Sequence, residues 1–127
     1  MWVSRLVLDA VHLDQLREHG GLSGVREENT LETALARPRQ RWHYESQKSD
    51  LATLAAAYGW GLVTSHPYRD GNKRTAFLAM VIFVGLNGFD LDATQEEVVT
   101  TMLPAAAGRL TEARLGDWVR AHLVKLM

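Results

Sequence analysis

A proline interrupts two long apolar segments near the middle of the chain, and this break constrains the fold more than any other feature. Residues 51–65 and 75–86 are dominated by apolar side chains, whereas the nine residues that separate them read HPYRDGNKR. Pro67 cannot continue a helix, and it disfavours the helical conformation at His66. The sequence therefore predicts two long helices joined by a polar turn, with the second helix beginning near Gly71.

Shorter helices are predicted on both sides of this pair. Leu6 and Leu13 belong to an apolar repeat that ends at Gly20. A short helix over residues 31–36 should stop before Pro38, because a proline disfavours helical backbone at the residue that precedes it. Side chains suited to cap a helix N-terminus occur at Ser4, Asp50, Thr94 and Thr111.

Length and composition indicate one globular unit. We predict an all-α single domain over residues 1–127, with about six helices and a possible short hairpin near residues 39–49. The absence of cysteine removes thiol catalysis, thiolate metal sites and disulfides, and a net charge of −1 provides no basic field for nucleic acid. No secretory signal is evident and no apolar run reaches the roughly 20 residues that span a bilayer. We therefore expect a cytoplasmic protein without a membrane or nucleic-acid partner.

The nine residues that begin at His66 combine the groups that phosphate chemistry requires. His66 supplies an imidazole, the side-chain type that accepts and donates protons in general acid-base catalysis, and Asp70 is a hard oxygen ligand of the kind that Mg²⁺ takes beside substrate phosphates. Gly71 allows the backbone to turn tightly and a ligand to approach it closely. Lys73 and Arg74 lie in the first helical turn, where each cation opposes the helix dipole at a cost of roughly 0.3–1 kcal/mol. A bound polyanion would offset that cost.

Each of these residues also has an ordinary structural explanation, since Asp-Gly turns and exposed Lys-Arg pairs are common. Their order between two apolar helices favours the functional interpretation. A Walker-type phosphate loop is excluded because the first Gly of that pattern is missing before Gly71. A zinc site on His66 and Asp70 is disfavoured because no third ligand lies at a suitable spacing.

The segment HPYRDGNKRTAF, residues 66–77, resembles the Fic signature His-Pro-Phe-x-x-Gly-Asn-Gly-Arg-x-x-Arg. Further segments resemble the death-on-curing branch of the Fic/Doc superfamily; they are residues 19–26, 31–38, 54–58 and 86–88. The resemblance covers nearly the whole chain. It implies the helical Fic/Doc fold and an enzyme that transfers part of a nucleotide to a protein hydroxyl.

Two positions depart from the AMP-transferring Fic pattern. Lys73 stands where those enzymes have the Gly that lines the diphosphate pocket, and Phe77 replaces the final Arg. Resemblance to the death-on-curing branch therefore implies a kinase-like enzyme that uses ATP and Mg²⁺ to phosphorylate elongation factor Tu and so stops translation. It also implies a toxin held inactive by a small antitoxin of the Phd type. Control in trans is expected because residues 23–29 fail the inhibitory Ser/Thr-x-x-x-Glu-Gly/Asn pattern.

The resemblance implies a role for each residue of the site. His66 would be the general base, Asp70 would hold Mg²⁺, and Arg74 would lie closest to the transferred group. The residues that would cradle the phosphates are Gly71, Asn72, Lys73 and Arg74. Arg26 would reach the nucleotide, with a surface salt bridge as an equally weighted alternative.

Two other functions stay open on the sequence. Transfer of AMP or another nucleoside monophosphate is favoured by the intact pattern of His66, Pro67, Gly71 and Asn72. A catalytically inactive module that binds a peptide in the same groove is the other alternative. The joint presence of His66, Asp70 and Arg74 argues against it.

Overall fold

Six helices and one two-stranded ribbon make up this computed structural model, which describes residues 1–126. The elements in chain order are α1 (Arg5–His19), α2 (Glu28–Tyr44), α3 (Leu51–Ser65), α4 (Asn72–Leu86), β1 (Phe89–Leu91), α5 (Gln95–Ala106), α6 (Glu112–His122) and β2 (Leu123–Lys125). The prediction of an all-α fold with about six helices is confirmed. No helix within the described residues is both long and apolar enough to cross a bilayer.

Four of the six helices begin at the capping residues that the sequence predicted. The Ser4 and Asp50 side chains accept hydrogen bonds from the first turns of α1 and α3, and Thr111 does the same for α6. Thr94 and Glu97 form a complete capping box at the start of α5. Helix α4 differs, because it begins at Gly71 without any side-chain cap.

Helix α3 is the centre of the fold, and α2, α4, α5 and α6 pack around it. Ten of its fifteen residues are buried, so the helix is apolar on nearly all sides, as expected for a fully enclosed element. Gly59 provides the space into which the Met80 side chain of α4 fits. Tyr58 and Phe83 add an aromatic contact between the same two helices, with ring centroids 5.1 Å apart. The polar turn between α3 and α4 is therefore supported by the two most tightly packed elements.

Helix α2 corrects the prediction of a short helix that stops before Pro38. It continues through Pro38 to Tyr44, although an internal proline costs about 3 kcal/mol through a lost hydrogen bond and a steric clash. Leu31, Ala34 and Pro38 form one buried stripe that packs on α3. Tertiary packing thus outweighs the local signal to stop.

The predicted hairpin near residues 39–49 is wrong. Most of that segment belongs to α2, and a turn follows in which Ser46 and Gln47 have left-handed backbone. The strands that exist are β1 and β2, which pair antiparallel with Leu91 opposite Leu123. Each has three residues and they are distant in sequence, so no local alternation indicates them.

Helix α1 has the predicted bounds, but it buries residues other than those in its apolar repeat. Leu8 and His12 face inward, whereas Leu6 is 81 % exposed and Leu13 is 46 % exposed. The inward face therefore brings a histidine to the core beside the polar turn.

An ion pair at the end of α6 predicts a pH-dependent stability. The imidazole of His122 lies 2.8 Å from the Trp118 carbonyl and 2.9 Å from the Glu97 carboxylate. The Trp118 carbonyl and then the Glu97 carboxylate raise the pKa of His122 above its ordinary 6.5, with Asp92 adding a smaller effect. The pKa of Glu97 falls to about 2, because the Thr94 backbone N–H and then His122 stabilise its charge.

The stabilisation from His122 is therefore complete below pH 6.5 and is lost as the pH rises through the higher folded-state value. We expect His122→Gln to lower the free energy of unfolding at about pH 5.5, by less than about 1 kcal/mol, and to have little effect at about pH 8.5. Urea denaturation of both proteins at the two pH values measures this difference. An equal loss at both values would show that the imidazole contributes packing and no charge.

Candidate active site

The polar turn begins where α3 ends, at His66. The backbone of His66 is left-handed, with φ 48° and ψ 58°, a conformation that is uncommon for residues other than glycine. Arg26 stabilises this end of the helix, because its Nε donates to the His66 carbonyl at 2.9 Å and its Nη2 donates to the Ser65 carbonyl at 3.1 Å. A cation at a helix C-terminus also interacts favourably with the helix dipole. Arg26 thus acts on the backbone that carries His66.

A short extended segment, residues 24–27, lies beside the turn and forms hydrogen bonds with residues 67–69. The backbone N–H groups of Arg26 and Glu27 both donate to the Pro67 carbonyl, at 2.7 and 3.2 Å, and the Arg69 N–H donates to the Gly24 carbonyl at 3.1 Å. Val25 and Tyr68 form an isolated antiparallel bridge. The first half of the turn is therefore paired like a strand, which restricts its motion.

Asn72 ties the turn to the first turn of α4. Its Oδ1 accepts the Tyr68 N–H at 3.0 Å and its Nδ2 donates to the Tyr68 carbonyl at 2.9 Å. Both polar ends of the amide are therefore occupied within the protein. A side-chain amide nitrogen carries two N–H groups, so the second Nδ2 donor, as well as the backbone N–H of Asn72, can contact a phosphate.

The Tyr68 side chain anchors the turn to α1. Its ring is 2 % exposed and its hydroxyl donates to Asp9 at 2.9 Å. Burial, and then the hydrogen bond to Asp9, raise the pKa of Tyr68 above its usual value. The hydroxyl therefore stays protonated and remains a donor over the physiological pH range.

The carboxylate of Asp70 is oriented by two backbone donors. The Gly71 N–H donates to Oδ1 at 3.1 Å and the Leu22 N–H donates to Oδ2 at 3.3 Å. Gly21 has φ 122°, and a Cβ at that position would lie 2.9 Å from Asp70 Oδ2. Only glycine therefore permits this close approach between the two segments.

The donor set fits a hard cation that completes its shell with phosphate and water. Each oxygen of Asp70 accepts one N–H, and an ionised carboxylate offers about four lone-pair positions, so capacity for a cation remains. No cluster of three His, Cys, Asp or Glu side chains that would hold a metal occurs among residues 1–126. Magnesium is commonly bound by one or two carboxylates together with substrate phosphates, so Asp70 suits Mg²⁺ better than zinc.

The N-terminus of α4 is open and positively charged. Gly71 has φ 75° and provides no side chain to cap the helix, and no acidic residue lies in the first turn. Lys73 and Arg74 are exposed there, and within the described residues neither forms an ion pair. Free N–H groups, the positive end of the dipole and two cations without an ion pair are features that favour the binding of an anion.

A cavity of about 870 Å³ opens over this helix start. Of the site residues predicted from sequence, those that line it are His66, Asp70, Gly71, Asn72, Lys73 and Arg74. Arg26 is the exception, because it does not line the cavity and donates to backbone carbonyls at the end of α3. The structure therefore does not place it as a nucleotide contact, and it forms no surface salt bridge within residues 1–126.

Helices α1 and α5 supply walls of the cavity that the sequence did not indicate. Gln15 and His19 come from α1, and α5 presents an apolar face made by Val98, Val99, Met102 and Leu103. Val99 and Leu103 are about half exposed. The capping box predicts helix α5, but no local pattern indicates that its apolar face is turned toward the polar turn.

Sequence comparison places this fold and site within a known family. The sequence pattern of the Fic/DOC family matches residues 2–84, and the chain belongs to that family. A protein of Escherichia phage P1 called protein kinase doc is 28 % identical over 113 residues, which cover 89 % of this chain and 88 % of that protein. A protein of Mycolicibacterium smegmatis called toxin Doc is 38 % identical over 74 residues, which cover 58 % of this chain and 57 % of that protein.

The paired contacts of Asn72 predict that Asn72→Asp is strongly destabilising. In the variant, one carboxylate oxygen still accepts the Tyr68 N–H. The other oxygen faces the Tyr68 carbonyl, to which the wild-type amide donates a hydrogen bond. We expect a loss of about 1–3 kcal/mol in the free energy of unfolding, the usual cost of a hydrogen-bonding group left without its partner. Urea denaturation measures the loss. Asn29→Asp, an exposed change on α2, is the control; equal small losses in both variants would contradict the role of the amide.

Proposed function

We propose that this protein is a toxin that transfers the γ-phosphoryl group of ATP to a hydroxyl of a target protein. One observation carries the proposal: at the open N-terminus of α4, Lys73 and Arg74, which form no ion pair within residues 1–126, line the same cavity as Asp70 and His66. Catalysis of phosphoryl transfer consists largely of positioning and charge neutralisation. These residues supply both within one cavity.

The proposed reaction uses each residue for one task. The acceptor hydroxyl oxygen forms a bond to the γ-phosphorus while the bond from that phosphorus to the bridging oxygen breaks, and ADP departs. His66 receives the hydroxyl proton. Lys73, Arg74 and the N–H groups of α4 stabilise the charge on the phosphate oxygens. Asp70 would hold Mg²⁺, and the ion would supply positive charge to the phosphates of the nucleotide.

Lys73 favours phosphate over AMP as the transferred group. Its long side chain stands at the start of α4 and lines the cavity, where an AMP-transferring Fic enzyme has glycine. A side chain there reshapes the space that corresponds to the diphosphate pocket of the AMP-transferring enzymes. Similarity to the protein kinase doc of phage P1 across 89 % of the chain supports the same choice.

The biological role follows from the relatives. One is called a toxin and the other a protein kinase, and these names support a toxin. That its acceptor is elongation factor Tu and that its control is a small antitoxin of the Phd type are proposals that rest on the resemblance to the death-on-curing branch. The turn and its supporting contacts are complete within this chain, and the cavity is open. Inhibition by a separate protein suits an open site better than inhibition by a segment of the chain itself.

AMP transfer is the second candidate. The Fic pattern is matched at His66, Pro67, Gly71 and Asn72. The N-terminus of α4 would bind the phosphates of the nucleotide in this reaction too.

The labelled position of ATP distinguishes the two reactions. With Mg²⁺ and elongation factor Tu, we expect label on the target from γ-labelled ATP and none from α-labelled ATP, because only the terminal phosphoryl group moves. The intact mass of the target should rise by one phosphate. His66→Ala should abolish labelling. Label from α-labelled ATP alone would replace kinase activity by AMP transfer.

Growth arrest separates an enzyme from a peptide-binding module that uses the same groove. Induced expression of the wild-type protein in bacteria should stop growth, and His66→Ala should not, because the proton acceptor is lost. His43→Ala removes an exposed histidine of α2 and serves as the matched control, which should arrest growth like the wild type. Harmless wild-type protein, or arrest by His66→Ala at the same expression level, would favour the binding module.

A further inference from the structure

His12 is a buried polar residue for which the proposed reaction has no task. Its side chain belongs to α1 and is 5 % exposed. The imidazole stacks on the Tyr68 ring with centroids 3.7 Å apart and planes inclined by 11°. Its Nε2 lies 2.8 Å from the backbone carbonyl oxygen of Asp70. The buried imidazole thus contacts the turn twice, at the Tyr68 ring and at the Asp70 carbonyl.

The short distance to a carbonyl defines the tautomer of His12. A carbonyl oxygen only accepts, so Nε2 carries the proton and donates to Asp70. Burial of a polar ring without such a partner would be costly. One turn earlier on α1, Asp9 accepts the Tyr68 hydroxyl at 2.9 Å. Asp9 and His12 therefore hold the edge and the face of the same tyrosine from neighbouring positions on one helix face.

The bonded carbonyl belongs to the peptide unit that joins Asp70 to Gly71. The N–H of that same unit donates to the Asp70 carboxylate at 3.1 Å. The peptide is thus held at its oxygen by His12 and is linked at its nitrogen to the carboxylate that we propose for Mg²⁺. Gly71, which follows with φ 75°, is the N-cap of α4. Rotation of this single peptide would turn both the carboxylate and the start of the helix.

We propose that His12 is a positioning residue that fixes the Asp70–Gly71 peptide and thereby orients the carboxylate of Asp70 toward the bound cation and phosphates. Its imidazole acts through the backbone and touches neither substrate nor cation. The structural part of this inference stands on the contacts of His12 alone, whereas its consequence for catalysis rests on the proposed function.

A pair of variants with similar side-chain shapes isolates the hydrogen bond. His12→Gln keeps an N–H donor near the position of Nε2, and His12→Met has no donor; both lose the ring. We expect amide hydrogen exchange at Gly71, measured by NMR without nucleotide or metal, to be roughly tenfold faster in His12→Met than in His12→Gln. His12→Phe, which keeps a ring against Tyr68, should exchange as fast as His12→Met.

Val119→Ala is the control for a general loss of stability. It removes part of a fully buried side chain of α6, which packs on α3. It should lower the free energy of unfolding and leave exchange at Gly71 at the wild-type rate. Equal exchange in His12→Met and His12→Gln, or wild-type exchange in His12→Phe, would overturn the inference.

The dependence of the reaction on Mg²⁺ provides the second measurement. In transfer from γ-labelled ATP, His12→Met should require roughly five to ten times more Mg²⁺ for half-maximal rate than His12→Gln, and excess Mg²⁺ should restore most of kcat. Val119→Ala should show the wild-type Mg²⁺ requirement. A lower kcat in His12→Met at every Mg²⁺ concentration, with no change in this requirement, would overturn the positioning role.

The two measurements keep this inference separate from the proposed function. If wild-type protein transfers no phosphoryl group, the proposed function fails and the exchange measurement alone decides whether His12 fixes the peptide. If wild-type protein is active but His12→Met and His12→Gln exchange alike at Gly71, the inference about His12 fails and the proposed function stands.

Discussion

The abrupt end of α3 at His66 and Pro67 is the constraint on which the site depends. Pro67 provides no backbone N–H for a further helical turn, and His66 takes left-handed backbone that is uncommon outside glycine. Arg26 offsets part of that strain by binding the last carbonyls of the helix. The chain can then turn sharply, and only six residues separate the last residue of α3 from the first residue of α4. A histidine, a carboxylate and a helix N-terminus meet in one cavity as a result.

The turn has no regular secondary structure of its own, so its rigidity comes from neighbours. The segment that includes Arg26 pairs with it like a strand, Asn72 bonds both backbone groups of Tyr68, and α1 holds Tyr68 and Asp70. Each contact satisfies a backbone or buried polar group that would otherwise be costly to remove from water. Of the charged groups that line the cavity, Lys73 and Arg74 form no ion pair within the described residues, and the Asp70 carboxylate keeps lone-pair capacity beyond its two N–H partners. This separation of supporting and unpaired groups is what a preorganised anion site requires.

Local sequence patterns were reliable where the cause of structure is local. Ser4, Asp50, Thr94 and Thr111 cap helices as predicted, because capping involves residues only three positions apart. Prediction failed where distant packing decides. Pro38 signals a stop that the burial of α2 against α3 outweighs, and the β1–β2 ribbon joins strands too short and too distant to form a local pattern. Arg26 donates to the carbonyls at the end of α3, a contact that neither of the two predicted roles included.

The sequence by itself determined the break at Pro67, the caps of four helices and the chemical types assembled between His66 and Arg74. Those features depend on backbone sterics and on residues that are neighbours in the sequence, so the sequence alone is enough to predict them. Only the tertiary structure decided that α5 forms a wall of the cavity, that Arg26 supports His66, and that His12 reaches the Asp70 carbonyl. These contacts join residues that lie far apart in the chain, and they depend on how whole helices pack against α3.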